Sequence, residues 1–136
     1  MTKQEVIDFL RKNKIFYVAT VDGDQPRVRP FGAVCEFEGK LYIPSNNKKD
    51  VAKQIQANPN IELTTGATED GQWLRLCAKA HLDDRLEAKQ AMLSENPMLK
   101  EMYKEDDGIF AVFALTGVQA RRYSFASGMQ ADVVEW

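Results

Sequence analysis

The chain is a succession of short runs of β-branched and aromatic residues, each closed by a turn signal, and this rhythm limits it to a small set of folds. Residues 15–21 (IFYVATV) are too short for a helix and rich in strand formers. Asp22-Gly23-Asp24 is a tight turn. Residues 25–38 (QPRVRPFGAVCEFE) read as a second strand, bent near Pro30 and Gly32. Glu38-Gly39-Lys40 turns the chain into a third strand at 41–45. The short connections predict an antiparallel meander of these three. Further strands are expected at 61–65 and 73–82. The apolar run 109–115 (IFAVFAL) predicts another, and 118–125 a last one.

Small helices punctuate the strands. Thr2 with Glu5 three residues on forms a capping box before an apolar stripe of Val6, Ile7, Phe9 and Leu10. Asn13 and Lys14 end that helix. A second helix is expected at 50–57, stopped by Asn58-Pro59. A third is expected at 85–94, and a short one at 98–103 after Asn96-Pro97. There is no internal repeat, low-complexity segment or linker. Six to seven mostly antiparallel strands with small flanking helices predict a single α+β domain over 1–136, built as a β-barrel.

Composition narrows the partners. The 136 residues carry a net charge of −2, which offers no global attraction to nucleic acid or to an anionic membrane. An anion site must therefore be local. The start of the chain has no apolar leader pattern, and no run approaches the roughly 20 apolar residues of a membrane span. A cytoplasmic location is the expectation. Cys35 and Cys77 each sit among apolar residues and read as reduced and partly buried. His81 is the one histidine, so a metal centre is not expected, and its apolar strand context reads as structural. Asp83-Asp84 and Asp106-Asp107 lie in polar loop contexts and read as solvated turns. Chemistry, if present, would come from a bound cofactor.

One constellation stands out. Arg27 and Arg29 alternate along the second strand and so share a face. The third strand ends in Tyr42-Ile43-Pro44-Ser45 and runs through Asn46-Asn47-Lys48-Lys49 into the second helix. A hydroxyl, two amides and two ammonium groups thus meet a helix N-terminus, where unpaired N–H groups favour anions. The two strands are expected to be neighbours, and the arginines suit bidentate phosphate contacts.

These residues resemble the pyridoxamine 5′-phosphate oxidase-like family of FMN-binding split barrels. The resemblance spans nearly the whole chain. It rests on Phe16-Tyr17-Val18-Ala19-Thr20, Pro26-Arg27-Val28-Arg29-Pro30-Phe31, Gly39-Lys40-Leu41-Tyr42-Ile43, Ser45 through Val51 with Gln54 and Asn58-Pro59, Trp73-Leu74-Arg75-Leu76, and Glu95-Asn96-Pro97-Met98-Leu99. It implies that Arg27, Val28, Arg29, Pro30 and Phe31 line the flavin and reach its phosphate. It implies that Ile43, Pro44, Ser45 and Asn46 contact the ring and ribityl chain, and that Lys49, with Lys48, binds the phosphate; Gln54 joins this set. It implies a homodimer with FMN at the interface, to which the partner adds Trp73, Arg75 and the region of Tyr123 and Trp136. The implied activity is FMN-dependent electron transfer from NAD(P)H to a small acceptor; the alternative is a flavin carrier or sensor without turnover. The chain ends in Val133-Val134-Glu135-Trp136 and lacks the family's Arg-Leu-x-Pro segment, which points away from pyridoxal phosphate synthesis and towards the small flavin or nitroimidazole reductases.

Overall fold

The structure, a computed structural model, describes residues 1–128 and 130–136. Helix α1 (Lys3–Asn13) opens the chain, and its capping box is formed: Glu5 N–H donates to Thr2 Oγ1 while Thr2 N–H donates to the Glu5 carboxylate. Eight strands follow: β1 (Phe16–Asp22), β2 (Gln25–Phe31), β3 (Cys35–Phe37), β4 (Lys40–Asn46), β5 (Asn60–Thr65), β6 (Gln72–Leu82), β7 (Phe110–Ser124) and β8 (Asp132–Glu135). Helix α2 (Asp50–Ala57) follows β4, and α3 (Leu86–Glu95) follows β6. A 3₁₀ turn over Pro97–Glu101 replaces the short helix expected at 98–103.

The strands form one antiparallel sheet in the order β2-β1-β5-β6-β7-β4-β3, with β8 on β7. Side chains from one face of nearly every strand meet in a single core. Phe16 and Val18 of β1, Leu63 of β5, Leu74 and Leu76 of β6, Phe113 and Leu115 of β7, and Leu41 and Ile43 of β4 all belong to it, with α1 and α2 plugging it. A sheet that directs one face onto one core has rolled up, and with no ladder joining β2 to β3 it is a split barrel. The opposite face of β4 and β7 is also buried, because α3 covers Tyr42, Phe110 and Val112 there. That double burial explains why the run 109–115 is apolar throughout rather than alternating.

Three expectations change. The strand expected at 25–38 is two strands, and the three-residue crossing Gly32-Ala33-Val34 carries the chain from one end of the sheet order to the other. The expected meander is therefore two separate hairpins. The last two expected strands are one 15-residue strand, β7. Gly117, at φ +58°, does not turn the chain: it sits in a bulge where the β6–β7 register shifts between Cys77 and Lys79. Finally, β8 was not expected. His81 is exposed and lies 3.0 Å from Thr116 Oγ1, so the structural role its apolar strand suggested is confined to the surface. No helix among the described residues is long and apolar enough to cross a membrane.

Candidate functional site

The split in the barrel is a cleft. Its walls are the end of β2 on one side and the end of β4 with the start of α2 on the other. These strands are not neighbours in the sheet, contrary to expectation; rolling of the sheet brings them together. The cleft encloses 310 Å³ and is lined by Arg29, Ser45 and Lys49 among the polar residues. Pro30, Phe31, Met98, Leu99 and Met102 supply the apolar surface. One end is thus cationic and hydroxylated, and the rest is apolar.

Arg29 faces the barrel interior because it pairs with the inward Val18. Its guanidinium donates to Val18 O at 3.3 Å, to Thr20 Oγ1 at 2.7 Å and to Gln54 Oε1 at 2.7 Å. Thr20 Oγ1 in turn donates to Gln54 Oε1 at 2.6 Å. Burial lowers the Arg29 pKa, while the field of Asp50 opposes that shift; the group stays charged. Gln54, expected to touch the cofactor, is not among the residues lining this cleft and holds the Arg29 guanidinium.

Ser45 differs. It is 6% exposed and its Oγ has no hydrogen-bond partner. A buried hydroxyl without a partner is costly, and in a cleft it leaves hydrogen-bonding capacity that a ligand atom can use. Lys49 is the N-cap of α2, exposed, with no ion pair among the described residues. Asn46 shapes this turn: its Oδ1 accepts from the amides of Lys48 and Lys49 at 3.0 and 3.2 Å, and its Nδ2 donates to Tyr103 Oη at 2.7 Å. Pro44 is tolerated because β4 has lost its β3 neighbour beyond Tyr42.

The other expected residues lie outside the cleft of the single chain. Arg27 pairs with Asp22 at 3.1 Å and borders a separate groove with Asp50, Lys53 and Gln54. Val28 projects from the outer face, 68% exposed. Ile43 is buried in the core, and Lys48 is exposed and does not line the cleft. Trp73 stacks on Tyr123 at 5.2 Å between ring centroids, and Arg75 binds Glu62 at 2.6 Å, both on the outer face of the sheet. Trp136 packs against its own core beside Val134. Sequence reasoning missed Met98, Met102 and Tyr103 as cleft residues, and Thr20 as a partner of Arg29. The Met-Leu-x-x-Met spacing after Pro97 was the available signal for the first group.

The family model for pyridoxamine 5′-phosphate oxidase matches residues 2–123. A solved NimC/NimA family protein from Clostridium acetobutylicum is 45% identical, with a TM-score of 0.91, over 98% of this chain and 92% of that one. General stress protein 26 of Bacillus subtilis is 26% identical over 95 residues, 68% of this chain and 67% of its own length. A solved FAD-binding protein from Mesorhizobium loti shares the fold at a TM-score of 0.59 and 18% identity, over 91% of this chain and 96% of that one. With a match that covers all but the last stretch of the chain, on a split barrel with its cleft, this protein belongs to the pyridoxamine 5′-phosphate oxidase family.

Proposed function

We propose that the chain is an FMN-dependent oxidoreductase that passes electrons from a reduced nicotinamide to a small acceptor, working as a cytoplasmic homodimer. The observation that carries this reading is the buried, unpartnered Ser45 hydroxyl at the cationic end of an otherwise apolar cleft. FMN has the matching polarity: an anionic phosphate, a hydroxylated linker and a flat ring. Lys49 would neutralise the phosphate, helped by the dipole at the start of α2. Ser45 Oγ would donate to a phosphate or ribityl oxygen, and Arg29 would add a second, pre-oriented cation. Pro30, Phe31 and Leu99 would lie along the ring. The cleft volume is near the lower end of small-molecule sites, about 300–1,000 Å³, and suits a mononucleotide better than a dinucleotide.

When bound, the flavin supplies the hydride and single-electron chemistry. The chain's own part is charge balance at the phosphate, orientation of the ring and exclusion of water by the apolar wall. Met98 and Met102 are 57% and 64% exposed in the single chain, which supports a partner subunit closing the cleft. The outward Trp73, Tyr123 and Arg75 are the surface we assign to that contact. The free thiols Cys35 and Cys77 agree with a reducing compartment.

The test is optical. Purified protein should show the flavin's visible absorption or gain it on FMN titration, and protein that stays colourless overturns the reading. Turnover of NADH or NADPH with a quinone or nitroaromatic acceptor then separates an oxidoreductase from a carrier or sensor.

A further inference from the structure

We propose that a second cavity, sharing a wall with the cleft, binds a small organic acid that also carries a hydrogen-bond donor. The proposal goes beyond the flavin reading and does not depend on it. This cavity encloses 360 Å³ between the end of α1, the start of β1 and the end of α3. Its polar lining is Arg11, Lys14, Glu95 and Asn96, and its apolar floor includes Leu10 and Phe16.

The donors and acceptors leave a defined remainder. Asn96 is 9% exposed, and both hydrogens of its Nδ2 are engaged, on Val34 O at 2.8 Å and on Met92 O at 3.2 Å. Its Oδ1 accepts nothing among the described residues and keeps solvent access, so a largely buried side chain presents one unused acceptor at the cavity wall. Arg11 and Glu95 cancel: Nη2 meets Oε1 at 2.7 Å and Nε meets Oε2 at 3.2 Å. Lys14 has no ion pair among the described residues. The cavity therefore offers one positive charge and one acceptor, which call for one negative charge and one N–H or O–H on the guest.

The backbone places Lys14 at a cost. Its φ of +64° and ψ of −55° form a tight turn in which Ile15 N–H donates to Asn13 O at 2.7 Å. Glycine adopts this conformation freely and lysine rarely. Strain of this kind collects at ligand clamps. Met98, Gly32 and Ala33 line both this cavity and the cleft, so a guest here sits against the cleft's own wall.

The experiment is calorimetric titration of the full-length protein with 4-hydroxybenzoate at low salt, with benzoate as the probe lacking the donor. We expect saturable one-to-one binding, weakened at least tenfold in Lys14→Ala and severalfold for benzoate. Lys14→Gly should lose the same affinity while unfolding at no lower temperature than the parent, which separates lost charge from lost structure. Lys49→Ala should bind the acid unchanged. The proposal is overturned by the absence of saturable binding, by unchanged affinity in Lys14→Ala, or by equal binding of benzoate. Loss of binding in Lys49→Ala also overturns it, because the acid would then occupy the flavin cleft. Flavin content is read separately by visible absorbance, so failure of one reading is not failure of the other.

Discussion

The two ends of β4 carry polar clusters built on opposite principles. Near its start, the buried Tyr42 hydroxyl donates to Asp83 at 2.7 Å, and Arg85 bridges Asp83 and Glu38 at 2.9 and 3.0 Å. Every member there has a partner within the chain. Asp83 is held well below the usual carboxylate range, first by its hydrogen bonds from Arg85, while burial and the Asp83 bond push Tyr42 up to about 12. At the far end, among the described residues, the Ser45 hydroxyl has no hydrogen-bond partner and the Lys49 ammonium no ion pair. The first cluster is a clamp between the β3–β4 hairpin and the loop before α3. The second is unfinished within the described chain, and under the proposed function a group from outside the chain completes it. Charge alone does not distinguish a site from a brace; unsatisfied hydrogen-bonding capacity does.

The comparison breaks most visibly at Lys49. A charge-assisted contact to phosphate is worth about 1.5–3 kcal/mol, so Lys49→Ala should weaken FMN binding by about ten- to a hundredfold, measured by flavin fluorescence titration. Thermal unfolding of the cofactor-free protein should be unchanged, because the Lys49 side chain is exposed and makes no ion pair among the described residues. A fall in stability without a change in affinity would assign Lys49 to the brace class.

The mirror experiment is Asp83→Ala. It leaves the Tyr42 hydroxyl buried without an acceptor, a loss of about 1–3 kcal/mol read as a lower denaturation midpoint. FMN affinity should not move. The pH dependence has a definite sign. Because the folded-state pKa of Asp83 is depressed, its contribution is present at neutral pH and fades as pH falls from about 5 downward, so parent and variant should converge in acid.

The clamp also shows what the sequence concealed. The existence of most strands was legible from β-branched runs and turns, and α1 from its capping box, since those signals are local. The brace was not: Asp83 read as a solvated loop acid because its partner Tyr42 lies 41 positions away. The crossing at Gly32-Ala33-Val34 failed for the same reason. Its three residues look like a bend within a strand, and only the rolling of the sheet makes them a transit between opposite edges. The two strands expected at 109–115 and 118–125 are one, because the glycine between them, Gly117, sits in a bulge and not in a hairpin. In the cleft, Arg29, Ser45 and Lys49 were legible by residue type. Met98 and Met102 were not, since an apolar pair beside a proline looks like any helix packed on a core.

Between the two clusters stands Arg29, which faces the cleft yet is bound by Val18, Thr20 and Gln54. We read Gln54 as a positioning residue. Gln54→Ala should loosen the guanidinium and weaken FMN by severalfold, less than Lys49→Ala. Gln54→Glu should recover orientation through a carboxylate acceptor yet still weaken FMN, because it adds negative charge beside the phosphate site. Equal affinity in both variants and the parent would leave Arg29 as a brace.

Ser45→Ala is the smallest change and the most discriminating. Removing Ser45 Oγ from the cofactor-free protein deletes a buried, unpaired polar atom and should raise stability slightly, by about 0.5–1 kcal/mol. The same substitution should weaken FMN, by less than Lys49→Ala, because a neutral contact is roughly half as strong as a charge-assisted one. Opposite signs on stability and affinity from one oxygen atom have no explanation in packing, since the methyl group of alanine fits where the serine Cβ already stands. Denaturant unfolding without FMN and titration with it give the two numbers. If both fall together, Ser45 has an internal partner and the two ends of β4 are alike after all.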